Sequence, residues 1–271
     1  MTDLNPQAAQ MADESMVRTL AAQTEAIWPQ EAPLYGRYGL PADLRILDAG
    51  CGTGEASSRL AALFPQGRVL GVDIQESSLE LARSRYASLA DRLRFENRSI
   101  YELGLPDDSF DLTVNRHVIH SIPHPERVLK ELVRVTRPGG RLHLIPEDYG
   151  MIHFPRHGMD TNRFWHEGPA RFGAATSTDL YIGRHIYGLL LEQGVTDIAI
   201  DYVVVDTLRV PRATFAAIWE AWRDGYVDVI AEHTELTVEQ ARALFNQMIA
   251  DIRDPHRYAV WMVPVVSGIV A

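Results

Sequence analysis

The sequence predicts an α/β fold in which a mostly parallel sheet is covered by helices on both faces. The chain has 271 residues, 46% of them hydrophobic, and can therefore bury a large core. Short apolar runs alternate with segments whose apolar residues recur at helical spacing. Strands that alternate with helices imply right-handed crossovers between parallel strands. We therefore expect a single domain built around one sheet.

The N-terminal arm, residues 1–42, precedes this alternation. An amphipathic helix is predicted near residues 10–27. Residues 28–41 follow with three prolines and three aromatic residues, and we expect them to be irregular. Aromatic side chains of this stretch would help to close an apolar pocket that excludes water.

Residues 43–148 carry the regular alternation of strands and helices. Five short apolar runs predict strands at residues 45–48, 68–73, 93–96, 110–114 and 141–145. A helix follows each of the first two strands, and another precedes the fifth. We expect this last helix to stop at the breaker Pro138-Gly139-Gly140.

The final third departs from this rhythm. Residues 149–175 are rich in aromatic residues and histidine without clear periodicity, and we interpret them as a lid insertion. The pattern in residues 176–271 predicts strands near 199–210 and 258–266 and helices near 178–193, 212–232 and 237–252. The two late strands favour an antiparallel sheet edge. A helical insertion at about residues 211–252 would cover the ligand crevice or form a dimer surface.

Composition and charge exclude several classes of partner and site. The 36 acidic and 26 basic residues give a net charge of −10, which repels nucleic acid and anionic lipid. The one cysteine cannot form an internal disulfide, and the histidine pairs spaced four apart are each interrupted by a proline, so we expect no metal site. Without a signal-peptide pattern or a membrane-length apolar run, we expect a soluble cytoplasmic protein, with a homodimer left open.

The most informative segment is the glycine-rich turn from Leu47 to Glu55, Leu-Asp-Ala-Gly-Cys-Gly-Thr-Gly-Glu. Its glycines lie between the first predicted strand and the first helix, where a ligand can approach the backbone closely. Asp73 ends the second strand, where a carboxylate can bind both hydroxyls of a ribose. A dinucleotide site would require glycine in place of Glu55, whose carboxylate would also lie near a pyrophosphate.

This turn resembles motif I of the class I S-adenosylmethionine-dependent methyltransferases. Four further segments resemble that family in the same order, at residues 71–73, 105–111, 116–120 and 132–140. The resemblance implies a Rossmann-like seven-stranded fold, S-adenosyl-L-methionine as cofactor, and methyl transfer to oxygen or nitrogen of a small organic molecule. Two rivals stay open: a cofactor-binding protein of this fold that does not methylate, such as a cyclase or regulatory subunit, and a nicotinamide oxidoreductase.

The cofactor residues implied by the resemblance lie at the carboxyl ends of the first four predicted strands. They are Asp48, Gly50, Cys51, Gly52, Gly54, Asp73, Ile74, Ser99, Ile100, Asn115 and Arg116. In the family, the glycine turn contacts the methionyl part, the acidic residue after the second strand binds ribose, and the next residue packs on adenine. Asp48 either contacts the ligand or braces the loop. Ser99 stands where many members have an aspartate for adenine.

Methyl transfer from a sulfonium needs no covalent nucleophile, so the remaining tasks are to position the acceptor and, where needed, to deprotonate it. The resemblance implies that the residues for these tasks follow the fourth and fifth strands; they are His117, His120, Asp148 and Tyr149. His120 is the leading candidate for the base. Asp148 would orient His120 or take the proton itself, or else cap a helix. Tyr149 would line the pocket.

Overall fold

Eight strands form the sheet at the centre of the computed structural model, which describes residues 14–271. Residues 1–13 of the predicted N-terminal arm lie outside the described residues. In chain order the strands are β1 (Arg45–Ala49), β2 (Arg68–Asp73), β3 (Leu93–Asn97), β4 (Phe110–Arg116), β5 (Thr136–Ile145), β6 (Ile152–His153), β7 (Thr196–Asp206) and β8 (Val260–Ile269).

The strand order is β3-β2-β1-β4-β5-β8, and both β7 and the two-residue β6 also pair with β8. Strands β1 to β5 are parallel, whereas β8 is antiparallel to β5 and β7. The predicted mostly parallel sheet with an antiparallel edge is therefore confirmed. The order reverses between β1 and β4, and in such sheets ligands bind beyond the carboxyl ends of the strands at that point.

The α-helices of the described chain cover both faces of the sheet and its carboxyl edge. They are α1 (Glu14–Tyr35), α2 (Glu55–Leu63), α3 (Glu76–Arg85), α4 (Pro125–Val135), α5 (Thr161–Thr176), α6 (Ile186–Glu192), α7 (Arg212–His233) and α8 (Val238–Arg253). The predicted helices near 212–232 and 237–252 correspond to α7 and α8, and α8 begins with a Thr237–Gln240 capping box. None of the helices in residues 14–271 has the length and apolar character of a bilayer span.

Three segments differ from the sequence predictions. Helix α1 continues through Pro29 and Pro33 into the stretch predicted to be irregular, and α5 occupies much of the lid segment that lacked periodicity. Helix α4 ends at Val135, before the predicted breaker. Strand β5 begins at the next residue, Thr136, and runs through Pro138-Gly139-Gly140. Tertiary contacts hold α1 in place: the Gln30 amide bonds both the backbone C=O and N–H of Val204 on β7, at 2.9 and 3.1 Å.

A buried ion pair fixes α1 to the sheet. The Nη2 atom of Arg116, at the end of β4, lies 2.8 Å from Oε2 of Glu31, and the two side chains are 6% and 0% exposed. Glu31 also accepts hydrogen bonds from the Tyr35 hydroxyl at 3.0 Å and from His143 Nε2 at 3.1 Å. Burial alone would raise the pKa of Glu31, but the charge of Arg116 and the His143 hydrogen bond hold it at about 2. The carboxylate is therefore charged at neutral pH.

We expect Glu31→Gln to lower the free energy of unfolding at pH 7 by about 3 kcal/mol or more, because the Arg116 charge then stays buried without a carboxylate. Asp224→Asn, which removes a partner of the half-exposed Arg18, should cost less than about 1 kcal/mol. Glu31 has a lowered pKa, so its contribution is present above pH 4.5 and is lost as pH falls towards about 2. Denaturant titrations at several pH values should show the free energies of unfolding of the unaltered protein and of Glu31→Gln converging over that range. Equal free energies of unfolding for these two proteins at pH 7 would contradict the role of the pair.

Candidate active site

A crevice lies beyond the carboxyl ends of β1 and β4, where the strand order reverses. Two adjoining cavities that open to solvent occupy it, which we call the inner cavity and the loop cavity; the empty space in them, open sides included, is about 530 and 340 Å³. Leu20 and Gln23 of α1 line both cavities, so this helix forms their roof. Gly50, Arg116 and His117 also line both, so the two cavities form one site.

The glycine loop supplies backbone to the wall of the crevice. Gly50 and Gly52 have φ values of +80° and +51°, in the left-handed region that favours glycine. A Cβ atom would lie 2.5 Å from Val118 at Gly50 and 2.7 Å from Leu20 at Gly52, too close in either case. At Gly54 a Cβ would instead meet the Phe95 ring at 2.7 Å. The first two glycines thus shape the cavity, whereas the third lets α2 pack against β3.

Two buried carboxylates brace this loop. Asp73 accepts hydrogen bonds from the N–H groups of Gly52 and Gln75, at 2.8 and 2.9 Å, and also lines the inner cavity. Asp48 accepts a 2.5 Å hydrogen bond from the Ser57 hydroxyl and lines the loop cavity. Burial raises the pKa of Asp48 to about 6 against the opposing effect of that hydrogen bond, and it also raises the pKa of Asp73. A positive charge placed near either carboxylate would therefore lower its pKa and favour its charged form.

Three more of the expected cofactor residues lie at or beside the crevice. Cys51 and Arg116 line the loop cavity, and Arg116 keeps its Nε without a partner among the described residues. Asn115 is fully buried, and its amide donates to the Ala49 carbonyl at 2.8 Å, which ties β4 to β1. It therefore supports the crevice from below.

The expected adenine residues lie farther out. Ile74 follows β2 and is 44% exposed, which leaves its side chain free to pack against a ligand. The Ser99 hydroxyl accepts a hydrogen bond from the Tyr101 N–H at 3.2 Å, and Ile100 packs in the core. Neither Ser99 nor Ile100 lines the two cavities of the described chain.

His117 and Glu147 form a buried pair that the sequence analysis did not predict. Nδ1 of His117, just after β4, is hydrogen-bonded to Oε1 of Glu147, just after β5. Both residues have positive φ, +58° and +63°, which costs a residue other than glycine roughly 1 kcal/mol or more. When Nδ1–H donates to the carboxylate, the lone pair of Nε2 is free, and this atom has no partner among residues 14–271. The pair can therefore accept a proton inside the crevice.

His120 and Tyr149 come together in the inner cavity. The Tyr149 hydroxyl is hydrogen-bonded to Nε2 of His120 at 3.3 Å, and burial raises the pKa of the phenol, so the tyrosine is neutral. Burial, with a smaller effect of His117, lowers the pKa of His120 to about 3. His120 is thus neutral at pH 7 and is a weaker base than an ordinary histidine.

Asp148 does not make the expected contact with His120. Its oxygens accept two hydrogen bonds from Arg184, at 2.7 and 2.6 Å, and one from the Gly150 N–H at 3.0 Å. This last bond caps the short helical turn Tyr149–Met151. The contacts of Asp148 are those of the helix cap given as its alternative role, and the carboxylate that binds the crevice residue His117 is its neighbour Glu147.

Polar side-chain atoms without partners are concentrated at this crevice. Ten such buried atoms occur among residues 14–271, and six of them belong to Thr53, Asn115, Arg116, His117, His120 and Glu147. Buried polar groups without partners are costly, so this concentration indicates a site shaped for a polar ligand. Its donors, acceptors and carboxylates fit a ligand that carries an ammonium, a carboxylate and a ribose. The described residues contain no group of three or more His, Cys, Asp or Glu side chains that could hold a metal ion.

Comparison with known proteins decides the family. A methyltransferase-domain family profile matches residues 40–204, more than half of the chain. The chain belongs to the class I S-adenosylmethionine-dependent methyltransferases. The match runs from the segment before β1 into β7 and includes the whole glycine loop. It decides against the nicotinamide oxidoreductase that the glycine pattern had left open.

Two curated relatives and one solved structure illustrate the similarity. The 27-O-demethylrifamycin SV methyltransferase of Amycolatopsis mediterranei is 40% identical over 113 residues, 41% of either chain. The trans-aconitate 2-methyltransferase of Deinococcus radiodurans is 34% identical over 158 residues, 57% of this chain and 59% of the relative. Both alignments span less than two thirds of the relative.

The solved structure is phosphoethanolamine N-methyltransferase 2 of Haemonchus contortus, in complex with phosphomonomethylethanolamine and S-adenosylhomocysteine. It superposes with a TM-score of 0.57 at 19% identity, over 89% of this chain and 52% of that one. At this identity the similarity establishes the fold.

We expect the affinity for S-adenosylmethionine to fall by up to about tenfold between pH 7 and pH 5. Asp48, with a pKa of about 6, then loses the negative charge that favours an ammonium and a sulfonium. Asp48→Asn should flatten this dependence, whereas Asp107→Asn, at an exposed aspartate paired with Arg134, should keep it. Calorimetric titrations at pH 5, 6 and 7 measure the effect. The same affinity at all three values in the unaltered protein would contradict it.

Proposed function

We propose that this chain transfers a methyl group from S-adenosylmethionine to an oxygen atom of a small organic molecule. The observation that carries the proposal is the buried His117–Glu147 pair, whose Nε2 atom has no partner in the described chain. A hydroxyl acceptor must lose a proton during methylation, and this pair can receive it. A neutral amine attacks through its lone pair and needs no such group beforehand, so the pair favours oxygen.

The residues that would hold the cofactor surround the glycine loop. Asp73 would bind the ribose, Asp48 and Arg116 would face the charged methionyl end, and Ile74 would pack against adenine. When bound, the cofactor supplies an electrophilic methyl group on a sulfonium. The close approach allowed at Gly50 and the unpartnered atoms around the crevice support this arrangement.

The chain's own contribution is to position a proton acceptor in a site roofed by α1. Glu147 accepts the Nδ1–H of His117, which fixes the tautomer, and its charge stabilises the imidazolium that forms when Nε2 takes a proton. The hydrogen bond between Tyr149 and His120 orients this neutral ring in the inner cavity. The roof formed by Leu20 and Gln23 covers the site and strengthens electrostatic interactions beneath it.

A small acceptor is supported by the relatives and by charge. Both curated relatives are named for small organic acceptors, and one is named for an oxygen position of its acceptor. The net charge of −10 opposes contact with nucleic acid. We propose the cytoplasm as the place of action.

Calorimetry and a transfer assay test the proposal together. The protein is titrated with S-adenosylmethionine and, separately, with NAD and NADP, and is then incubated with methyl-labelled cofactor and a panel of hydroxylated small molecules. Binding of the first ligand with label transfer to oxygen is the expected result. Binding without transfer to any acceptor would favour the cyclase or regulatory alternative, and transfer to nitrogen alone would contradict the choice of oxygen.

We expect Glu147→Gln to lower kcat by about 10²-fold or more, because the carboxamide no longer stabilises a protonated His117. Asp148→Asn is the matched control: it makes the same chemical change one residue later, but at a carboxylate that binds Arg184. It should lower the melting temperature and leave the pH profile of kcat unchanged, whereas Glu147→Gln should alter that profile. Rate measurements from pH 5 to 9 compare the two, and equal effects would remove the His117–Glu147 pair from the mechanism.

A further inference from the structure

A second cavity, which we call the aromatic chamber, adjoins the inner cavity. It lies between α5, α7 and α8 and opens towards solvent; the empty space in it, its open side included, is about 610 Å³. Its main walls are the side chains of Phe164, Trp165, Phe172, Trp222, Val229 and Phe245. Apart from His233, none of the described residues that line it is acidic or basic, and its other polar side-chain groups are the hydroxyls of Tyr149, Tyr226 and Thr234.

The aromatic chamber and the inner cavity share three aromatic side chains, Tyr149, Trp222 and Tyr226. The centre of the Tyr149 ring lies 5.6 Å from the ring centres of Trp165 and Trp222, and its hydroxyl is hydrogen-bonded to His120. The two cavities therefore meet at these rings, which a molecule in the aromatic chamber would contact at the end nearest the reaction centre. A hydroxyl at its inner end would lie next to the polar groups of the inner cavity.

The outer side of the aromatic chamber adjoins a surface groove of about 860 Å³, with Phe164, Gly168 and Thr234 on their common wall. The arginines of this groove already have partners. Nε of Arg163 lies 2.7 Å from Oε1 of Glu167. Nη2 of Arg171 lies 3.5 Å from Oε2 of Glu167, and its Nη1 lies 3.8 Å from Oε1 of Glu235. The groove thus offers an approach from solvent on a side away from α1, without an unpaired cation to attract an anion.

The aromatic chamber is a gap in the packing between three helices, and its lining is mostly apolar. Interiors pack as densely as organic crystals, and side chains around an empty volume lose dispersion contacts on one side. Engineered apolar cavities destabilise proteins in proportion to their volume. The walls here are rigid aromatic rings, several of them packed edge to face, so they do not collapse into the space.

We propose that the aromatic chamber holds the body of the methyl acceptor, and that this acceptor is an uncharged, largely apolar molecule that carries a ring. The inference rests on the proposed methyl transfer for the reaction, but the binding itself does not depend on it. Ring faces and edges on the walls match a ring in the ligand. A carboxylate or phosphate placed there would lose its hydration without an arginine or lysine among the described lining residues to replace it.

Calorimetric binding of 2-naphthol, with S-adenosylhomocysteine present, tests the inference, and trans-aconitate serves as the anionic comparison. We expect micromolar binding of 2-naphthol and at least tenfold weaker binding of trans-aconitate. Val229→Trp should fill the aromatic chamber and weaken 2-naphthol binding at least tenfold. Leu208→Trp, at a position 78% exposed, is the control and should bind as the unaltered protein does. Ile230→Trp, at another wall of the chamber, replaces Val229→Trp if that variant does not fold.

Three results would overturn the inference: no binding of 2-naphthol, unchanged binding in the variants that fill the chamber, or tighter binding of trans-aconitate. Failure of the proposed function has a different signature. It would appear as missing affinity for S-adenosylmethionine or missing methyl transfer, measured separately. Binding of 2-naphthol that is lost on filling the chamber would support the binding site even then.

Discussion

The positive charge of Arg116 lies at the end of a buried strand, and the position of α1 depends on its neutralisation. Glu31 supplies the carboxylate, and Tyr35 and His143 complete its hydrogen bonds. A buried guanidinium without a counter-charge would be strongly destabilising, so α1 is held across the crevice. The roof over the glycine loop follows from this pair, since Leu20 lies on the same helix three turns before Glu31.

The crevice also carries unfavourable backbone conformations and buried polar atoms without hydrogen-bond partners. The capping box that starts α8, for example, satisfies its polar groups by local hydrogen bonds. At the ends of β4 and β5, His117 and Glu147 adopt left-handed backbone conformations, and several buried polar atoms lack partners. Conflicts of this kind persist where the surrounding fold imposes them, and they concentrate at functional sites. Parallel strands place both residues at one edge, and their hydrogen bond then joins two otherwise unfavourable positions.

Local patterns were sufficient to predict the strand–helix alternation, the glycine loop and the late helices, because neighbouring residues determine these features. The partners of Glu31 and Glu147 were not predictable, since they lie 85 and 30 residues away in the chain. Asp148, and not Glu147, was the expected site residue; the structure instead pairs Glu147 with His117 and Asp148 with Arg184, contacts that neighbouring residues do not reveal. Similarly, Pro29 indicated an irregular segment, but contacts with β7 keep it helical.

Four of the five tryptophans belong to one cluster beside the inner cavity and the aromatic chamber. The rings of Trp165, Trp219, Trp222 and Trp261 lie 4.9 to 6.3 Å apart, centre to centre, along the cluster. At these separations the excited states of indoles couple, so the near-ultraviolet circular dichroism should be dominated by the cluster as a unit. Trp222 lines both cavities, and Trp165 lines the aromatic chamber. The fold therefore contains an intrinsic optical reporter, placed where occupancy of either cavity will change its signal without an added label.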